Sequence, residues 1–196
     1  MQIKPFEEKY IPYLVETVKP LWGVSGGKDE FNTVDVEFIV RNNIYENDMA
    51  LELVQDDEIL AAAFGAEKGE HNTAKQWLQA QIDTGNFSES ERESLALVSE
   101  YLTAMDERTL SFMGSEDVKL SLFISRCKGK GKIILNELVK KFSQKGFKNM
   151  YLWTDCTCNW QYYQEHGYEL IEKARYEKFS TDDGYDFLTY IYKKRL

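Results

Sequence analysis

Residues 126–131 read Arg-Cys-Lys-Gly-Lys-Gly and lie between an apolar, strand-like run at 118–124 and a helix-like run at 133–142. Glycines at 129 and 131 allow the backbone to come close to a ligand with its N–H groups turned outward. A helix that starts there adds its unpaired N-terminal N–H groups and the positive end of its dipole. Lys128, Lys130 and Lys132 stand around the same bend. This combination suits a pyrophosphate held without a metal ion.

Two common phosphate loops do not fit. A nucleoside triphosphate loop needs Gly-x-x-x-x-Gly-Lys followed by Ser or Thr. Here Gly131-Lys132 is followed by Ile133, and Arg126 stands five before Gly131. A dinucleotide fingerprint needs a third glycine three after the second, where this chain has Ile134. The remaining pattern, Arg126-x-x-Gly129-x-Gly131 followed by Ile134 and Leu135, resembles the acyl-CoA signature of the GNAT N-acetyltransferase superfamily. Downstream, Tyr162-Tyr163-Gln164-Glu165-His166-Gly167-Tyr168 is similar to that family's aromatic-Tyr-x-x-x-Gly-aromatic segment. Alone, the glycine pattern also suits an ordinary strand–turn–helix corner. The second motif, in the expected order and one helix and one strand further on, favours the resemblance, which covers 118–196 well and the first part loosely.

The resemblance implies an α+β, three-layer fold: a central, mostly antiparallel, twisted sheet of about seven strands flanked by helices. It implies acetyl-CoA as co-substrate, with Arg126, Cys127, Lys128, Gly129, Lys130, Gly131 and Lys132 around the pyrophosphate. Leu122, Phe123 and Ile124 would stand at a splay between two strands, where the pantetheine arm lies. Asn159 falls where many members have an asparagine that contacts pantetheine, although its gap to Tyr163 is shorter here; capping the short helix is its other reading. Tyr163, four before Gly167, matches the tyrosine that protonates the leaving sulfur. A phenol with a pKa of about 10 stays protonated at neutral pH and can donate. An amine acceptor is mostly ammonium at that pH and needs a base. Asp155, at the end of the following strand, is the candidate, with a helix cap as its alternative role. The implied activity is acetyl transfer to a primary amine of a small molecule or peptide by direct attack in a ternary complex. A catalytically silent acyl-CoA-binding sensor is the alternative. Acceptor choice would rest on residues 22–31 and 175–186, both rich in aromatic and acidic side chains, a lining suited to an organic cation.

Composition bounds the rest. The chain has 196 residues, 43% hydrophobic and 29% charged, which suits a single domain over 1–196. Its net charge of −9 is uneven, with 1–117 anionic and 118–196, which holds the glycine bend, cationic. The acidic total argues against a nucleic-acid partner. The longest compact apolar run, 59–64, is far too short to span a bilayer. Residues 1–8 lack the cationic-then-apolar pattern of a secretory signal. Three cysteines without framework spacing point to a reducing cytoplasm. Cys156 and Cys158, one residue apart, would point to opposite faces of a strand, so no metal site is expected.

The elements follow from pattern. Residues 2–5 read as a strand, and Ile11, Leu14, Val15 and Val18 as a helix from near Pro12 to before Pro20. The run 31–44 fits a helix through Phe31, Val34, Phe38 and Ile39, but Val34, Val36, Phe38 and Val40 also alternate; the family plan favours the helix. Runs 49–54 and 59–64 form a hairpin around Asp56-Asp57. Residues 66–117 form an insertion where the family has a short connection. It holds helices at about 73–82 and 89–105, the second opened by a Ser88/Glu91 capping box and striped by Leu95, Val98, Tyr101, Leu102 and Met105. The insertion covers the substrate side, mediates a homodimer contact, or simply packs on the sheet. A strand at 148–155, a short helix at 158–165 and a closing hairpin turning at Asp183-Gly184 complete the chain.

Overall fold

Asp56 and Asp57 both adopt the left-handed conformation, with φ of 52° and 62°. Two successive positive φ values make the tight turn whose twist suits a two-residue hairpin, and it joins β2 (Ala50–Gln55) to β3 (Glu58–Glu67). The computed structural model, which describes residues 1–196, adds β1 (Gln2–Pro5), β4 (Asp117–Ser125), β5 (Asn149–Asp155), β6 (Glu169–Arg175) and β7 (Leu188–Arg195) to this hairpin. They form one sheet in the order β1-β2-β3-β4-β5-β7-β6. Every neighbouring pair is antiparallel except β4 and β5, which run parallel.

Helices cover both faces. On one, α5 (Lys130–Gln144) lays Ile134, Leu135, Leu138 and Phe142 on Val118, Leu120, Met150 and Leu152. On the other, α1 (Ile11–Trp22) and α2 (Asp29–Arg41) pack on β2, β3 and the end of β4. Beside them lie α3 (Ala74–Thr84) and α4 (Glu89–Phe112), the two helices of the 66–117 insertion, which share a core with α2, β5 and β7. A five-residue α6 (Gln161–Glu165) follows β5. No helix is long and apolar enough to cross a membrane.

The closing hairpin differs from the sequence expectation, since β6 ends at Arg175 and β7 starts at Leu188 with a long connection rather than a tight turn at Asp183-Gly184 between them; three helix boundaries differ as well. Helix α1 continues through Pro20 to Trp22. Proline there removes a single hydrogen bond in the last turn, and Gly23 N–H still closes the end on the Lys19 carbonyl at 2.9 Å. Helix α4 runs two turns beyond Met105, because Thr109 is fully buried and Leu110 and Phe112 continue the packing. The helix after β5 starts only at Gln161, with Trp160 as its N-cap and no side-chain cap. The 31–44 segment is helical as far as Arg41, so its alternation is incidental.

The strand pairing positions the site. β4 stays paired with β3 from Val118 to Ser125, with an irregularity that leaves Ser121 unpartnered between Leu120 and Leu122. The extra residue bends the strand, and the Ser121 hydroxyl lies 3.0 Å from the Asn43 carbonyl and 3.2 Å from that of Phe64. β4 pairs with β5 only at Asp117↔Asn149, Val118↔Met150 and Lys119↔Tyr151. Beyond Lys119 and Tyr151 the two strands part, while β5 remains paired with β7 as far as Asp155.

Candidate active site

The bend after β4 separates the tasks of its two glycines. Gly129 is the N-cap of α5 with φ of 79°, in the left-handed region that side chains disfavour. Gly131 is buried, and a Cβ there would stand 2.6 Å from the Phe123 ring and 3.0 Å from Ser125 Cβ. The first turn of α5 therefore lies directly on the end of β4, in the stretch that has parted from β5. Its N-terminus has no side-chain cap and no acidic residue in the first turn. By contrast, α4 is closed by its own capping box, with Ser88 and Glu91 bonding each other's backbone N–H. An open helix N-terminus ringed by Lys128, Lys130 and Lys132 fits an anion. The Arg126 side chain turns away from it: its guanidinium donates to the Ile59 carbonyl at 3.2 Å and lies 5.9 Å from the Tyr13 ring centre.

At the other side of the gap stand the residues after β5. Tyr163 on α6 packs edge-on to Tyr168 at 5.2 Å and against Tyr192 at 5.5 Å, and its hydroxyl makes no hydrogen bond. Burial, with smaller contributions from neighbouring tyrosines and Cys158, holds its phenol far above the ordinary range, so it stays protonated. Asp155, buried at the tip of β5, is fully engaged. One oxygen accepts the Thr157 N–H at 2.9 Å and hydroxyl at 2.6 Å; the other accepts the Tyr101 hydroxyl at 2.9 Å. Burial and the Asp155 charge push the Cys158 thiol up, which works against a thiolate nucleophile. Asn159 is exposed and its side chain caps nothing. His166 is tied by Nδ1 to the Tyr162 carbonyl at 2.7 Å and stacked on the Tyr162 ring. No group of three His, Cys, Asp or Glu side chains is arranged to hold a metal ion.

No protein-family model matches this sequence, and no curated protein matches it. Solved structures do. The C-terminal condensation domain of Ebony, in complex with beta-alanyl-dopamine, superposes with a TM-score of 0.62 at 11% identity, over 100% of this chain and 98% of that one. Drosophila melanogaster polyamine N-acetyltransferase gives 0.55 at 16% identity, over 100% and 99%. The ribosomal-protein-S18-alanine N-acetyltransferase of Escherichia coli gives 0.53 at 12% identity, over 99% and 92%. The fold is that of the GNAT N-acetyltransferases.

Within that GNAT fold, sequence reasoning missed three residues. Tyr101 reads as one more apolar position on α4, yet its hydroxyl reaches Asp155. Four rings surround it, Trp153, Tyr176, Phe179 and Phe187, with centres 4.8–5.7 Å away. Asp106, also on α4, bonds Lys119 of β4 and the indole N–H of Trp153 of β5, each at 2.7 Å. Lys119 is 1% exposed. Burial pulls its ammonium down, but Asp106 and Tyr45 more than compensate, and the group stays charged. The third is Asp35 on α2, 1% exposed with no hydrogen-bond partner for Oδ1. Its signal was present: it sits at helical spacing on the apolar stripe of Phe31 and Phe38.

Proposed function

We propose that this protein transfers an acetyl group from acetyl-CoA to a primary amine of a small molecule or peptide, by direct attack with both substrates bound. One observation carries the reading: the uncapped, lysine-ringed N-terminus of α5 stands at the end of the β4 stretch that has parted from β5. A pyrophosphate at that N-terminus would leave the attached arm lying along the β5-facing edge of Leu122, Phe123 and Ile124. Alternate backbone groups of β4 point there, since β3 uses the others. A β4 N–H facing the gap would polarise the thioester carbonyl, worth a few kcal/mol as an oxyanion donor. Lys128, Lys130 and Lys132 would balance the phosphate charge. Tyr163, protonated and with an unspent hydroxyl, would give its proton to the departing sulfur.

Asp155 suits a positioning part better than the base. Three donors already fill its two oxygens, and taking a proton there would oppose the Tyr101 hydroxyl that points at it. In this reading the insertion forms the acceptor-side wall through Tyr101 and the rings packed around it.

Two measurements test the proposal. Coenzyme A and acetyl-CoA should raise the melting temperature, and thiol should appear from acetyl-CoA only when a suitable amine is present. Binding without amine-dependent thiol release would instead mark an acyl-CoA sensor. Absence of any effect of coenzyme A at millimolar concentration would refute both.

A further inference from the structure

Two buried carboxylates have an oxygen without a hydrogen-bond partner, Asp35 and Glu52. Glu52 is answered by Lys4 at 3.2 Å and by the Glu7 N–H at 3.0 Å. Asp35 is answered by nothing. It lies on α2 four residues after Phe31 and three before Phe38, so its carboxyl shares their side of the helix. Both rings belong to the cluster of Tyr101, Tyr151, Phe187 and Ile191. Tyr101 of that cluster bonds Asp155 at the tip of β5, and Trp153, beyond the last β4–β5 pair, packs against it. Three charged or titratable groups on the surrounding elements are engaged elsewhere. Lys19 of α1 bonds Glu16 and Asp29, Asp106 of α4 bonds Lys119 of β4, and Tyr101 of α4 bonds Asp155 of β5. α3 buries only Ala74 and Leu78.

Resting on the acetyltransferase reading, we propose that Asp35 is the base of this site: it receives the ammonium of the acceptor amine and takes its proton. An unpartnered buried carboxylate is unfavourable in the free protein, and a cation is the ligand that relieves it. The surroundings are aromatic, so the amine is carried on an apolar body. It enters past Tyr176 and Phe179, half-buried rings of the long β6–β7 connection. In the reaction, R–NH3+ gives one proton to Asp35. The neutral nitrogen then bonds the thioester carbon, the C–S bond breaks, and Tyr163 protonates the sulfur. The second proton lost by nitrogen restores Tyr163, and Asp35 returns its own to water. Burial pushes the Asp35 carboxyl up to about 7, in the range where a base works at neutral pH.

The test uses the full chain, acetyl-CoA and 2-phenylethylamine as the probe amine, with a linear polyamine for comparison. Asp35→Asn should lower kcat/KM for the amine by about 100-fold or more, with the thermal shift by coenzyme A retained. Formate should restore part of the rate in Asp35→Ala. Wild-type kcat/KM should rise with pH through about 7, and that limb should vanish in Asp35→Asn. A variant within about twofold of wild type, or a wild-type profile flat through neutral pH, overturns the assignment while leaving the acetyltransferase intact. A wild-type protein that binds no coenzyme A and releases no thiol removes the underlying reading and this proposal with it. A wild-type profile flat through neutral pH overturns the assignment even if neither variant folds.

Discussion

Charging Asp35 should destabilise the folded protein by an amount that can be measured without substrate. Burial raises its carboxyl from 3.8 to about 7. Below about 3.8 the folded and unfolded chains both hold the proton, and nothing is lost. Between 3.8 and about 7 the unfolded chain releases it while the folded chain keeps it, so stability falls by ~1.4 kcal/mol per pH unit. Above about 7 the whole penalty, ~4 kcal/mol, is in place. Asp35→Asn preserves shape and polarity but never charges. The two proteins should therefore unfold at similar urea concentrations at pH 4. At pH 8 the variant should be the more stable by ~2–4 kcal/mol, the lower figure allowing for relaxation around the charge. With a urea slope of about 2 kcal/mol/M, that is a midpoint higher by roughly 1–2 M. Carboxylates elsewhere titrate in both proteins and cancel in the difference. A midpoint difference that does not change between pH 4 and pH 8, or an Asp35→Asn protein that is weaker at pH 8, would show that Asp35 is not an unpaired charge and would refute the reasoning.

The remaining expectations concern the bend, the acid and the insertion. Gly131→Ala forces the Phe123 ring aside and should destabilise by ~1–3 kcal/mol while weakening coenzyme A binding by calorimetry; Gly129→Ala meets only the left-handed backbone cost of about 1 kcal/mol, so equal losses would contradict the division of tasks. Tyr163→Phe should slow turnover roughly 100-fold at unchanged coenzyme A affinity, and an unaltered rate removes it from the mechanism. Asp106→Ala strands the buried Lys119 ammonium and should cost about 3–5 kcal/mol in chemical denaturation. Adding Lys119→Met should recover most of that loss, and a double variant no better than the single one would deny the pair its importance.

What the sequence made legible is what adjacent residues decide. The Asp56-Asp57 turn, the Ser88/Glu91 capping box and the Gly129 bend are each built from residues within four positions of one another, and each is present. Pro20 misled because a local stop signal was overridden by a helix with one turn left to close. The parting of β4 from the next strand was expected near 122–124 from the family resemblance; it begins a few residues earlier, after Lys119. Tyr101, Asp106 and Asp35 escaped because their meaning lies in partners 54 residues away for Tyr101 and 47 for Asp106's bond to Trp153, or, for Asp35, in having none. Nothing in a helical stripe says whether a tyrosine ends in apolar packing or in a hydrogen bond. A carboxylate at an apolar position is the one departure a sequence does display.

Those long-range contacts give the insertion a task beyond covering the sheet. Two strands that part leave unpaired backbone edges, and such edges tend to re-pair or fray unless something fixes their separation. Asp106 bonds Lys119, the last β4 residue still paired with β5, and Trp153, two residues into the unpaired part of β5. Tyr101, on the same helix, bonds Asp155 at the tip of β5. One rigid helix thus grips the gap at its base on both strands and at its far end on one. The capping box at Ser88 fixes where that helix begins, and the buried pair fixes where it lies. A gap held in this way is already open before any arm is laid into it. On the acetyl-transfer reading, the ordering cost would be met in folding rather than in binding, and the α4 contacts, though distant from the glycine bend, would then serve the chemistry of the site.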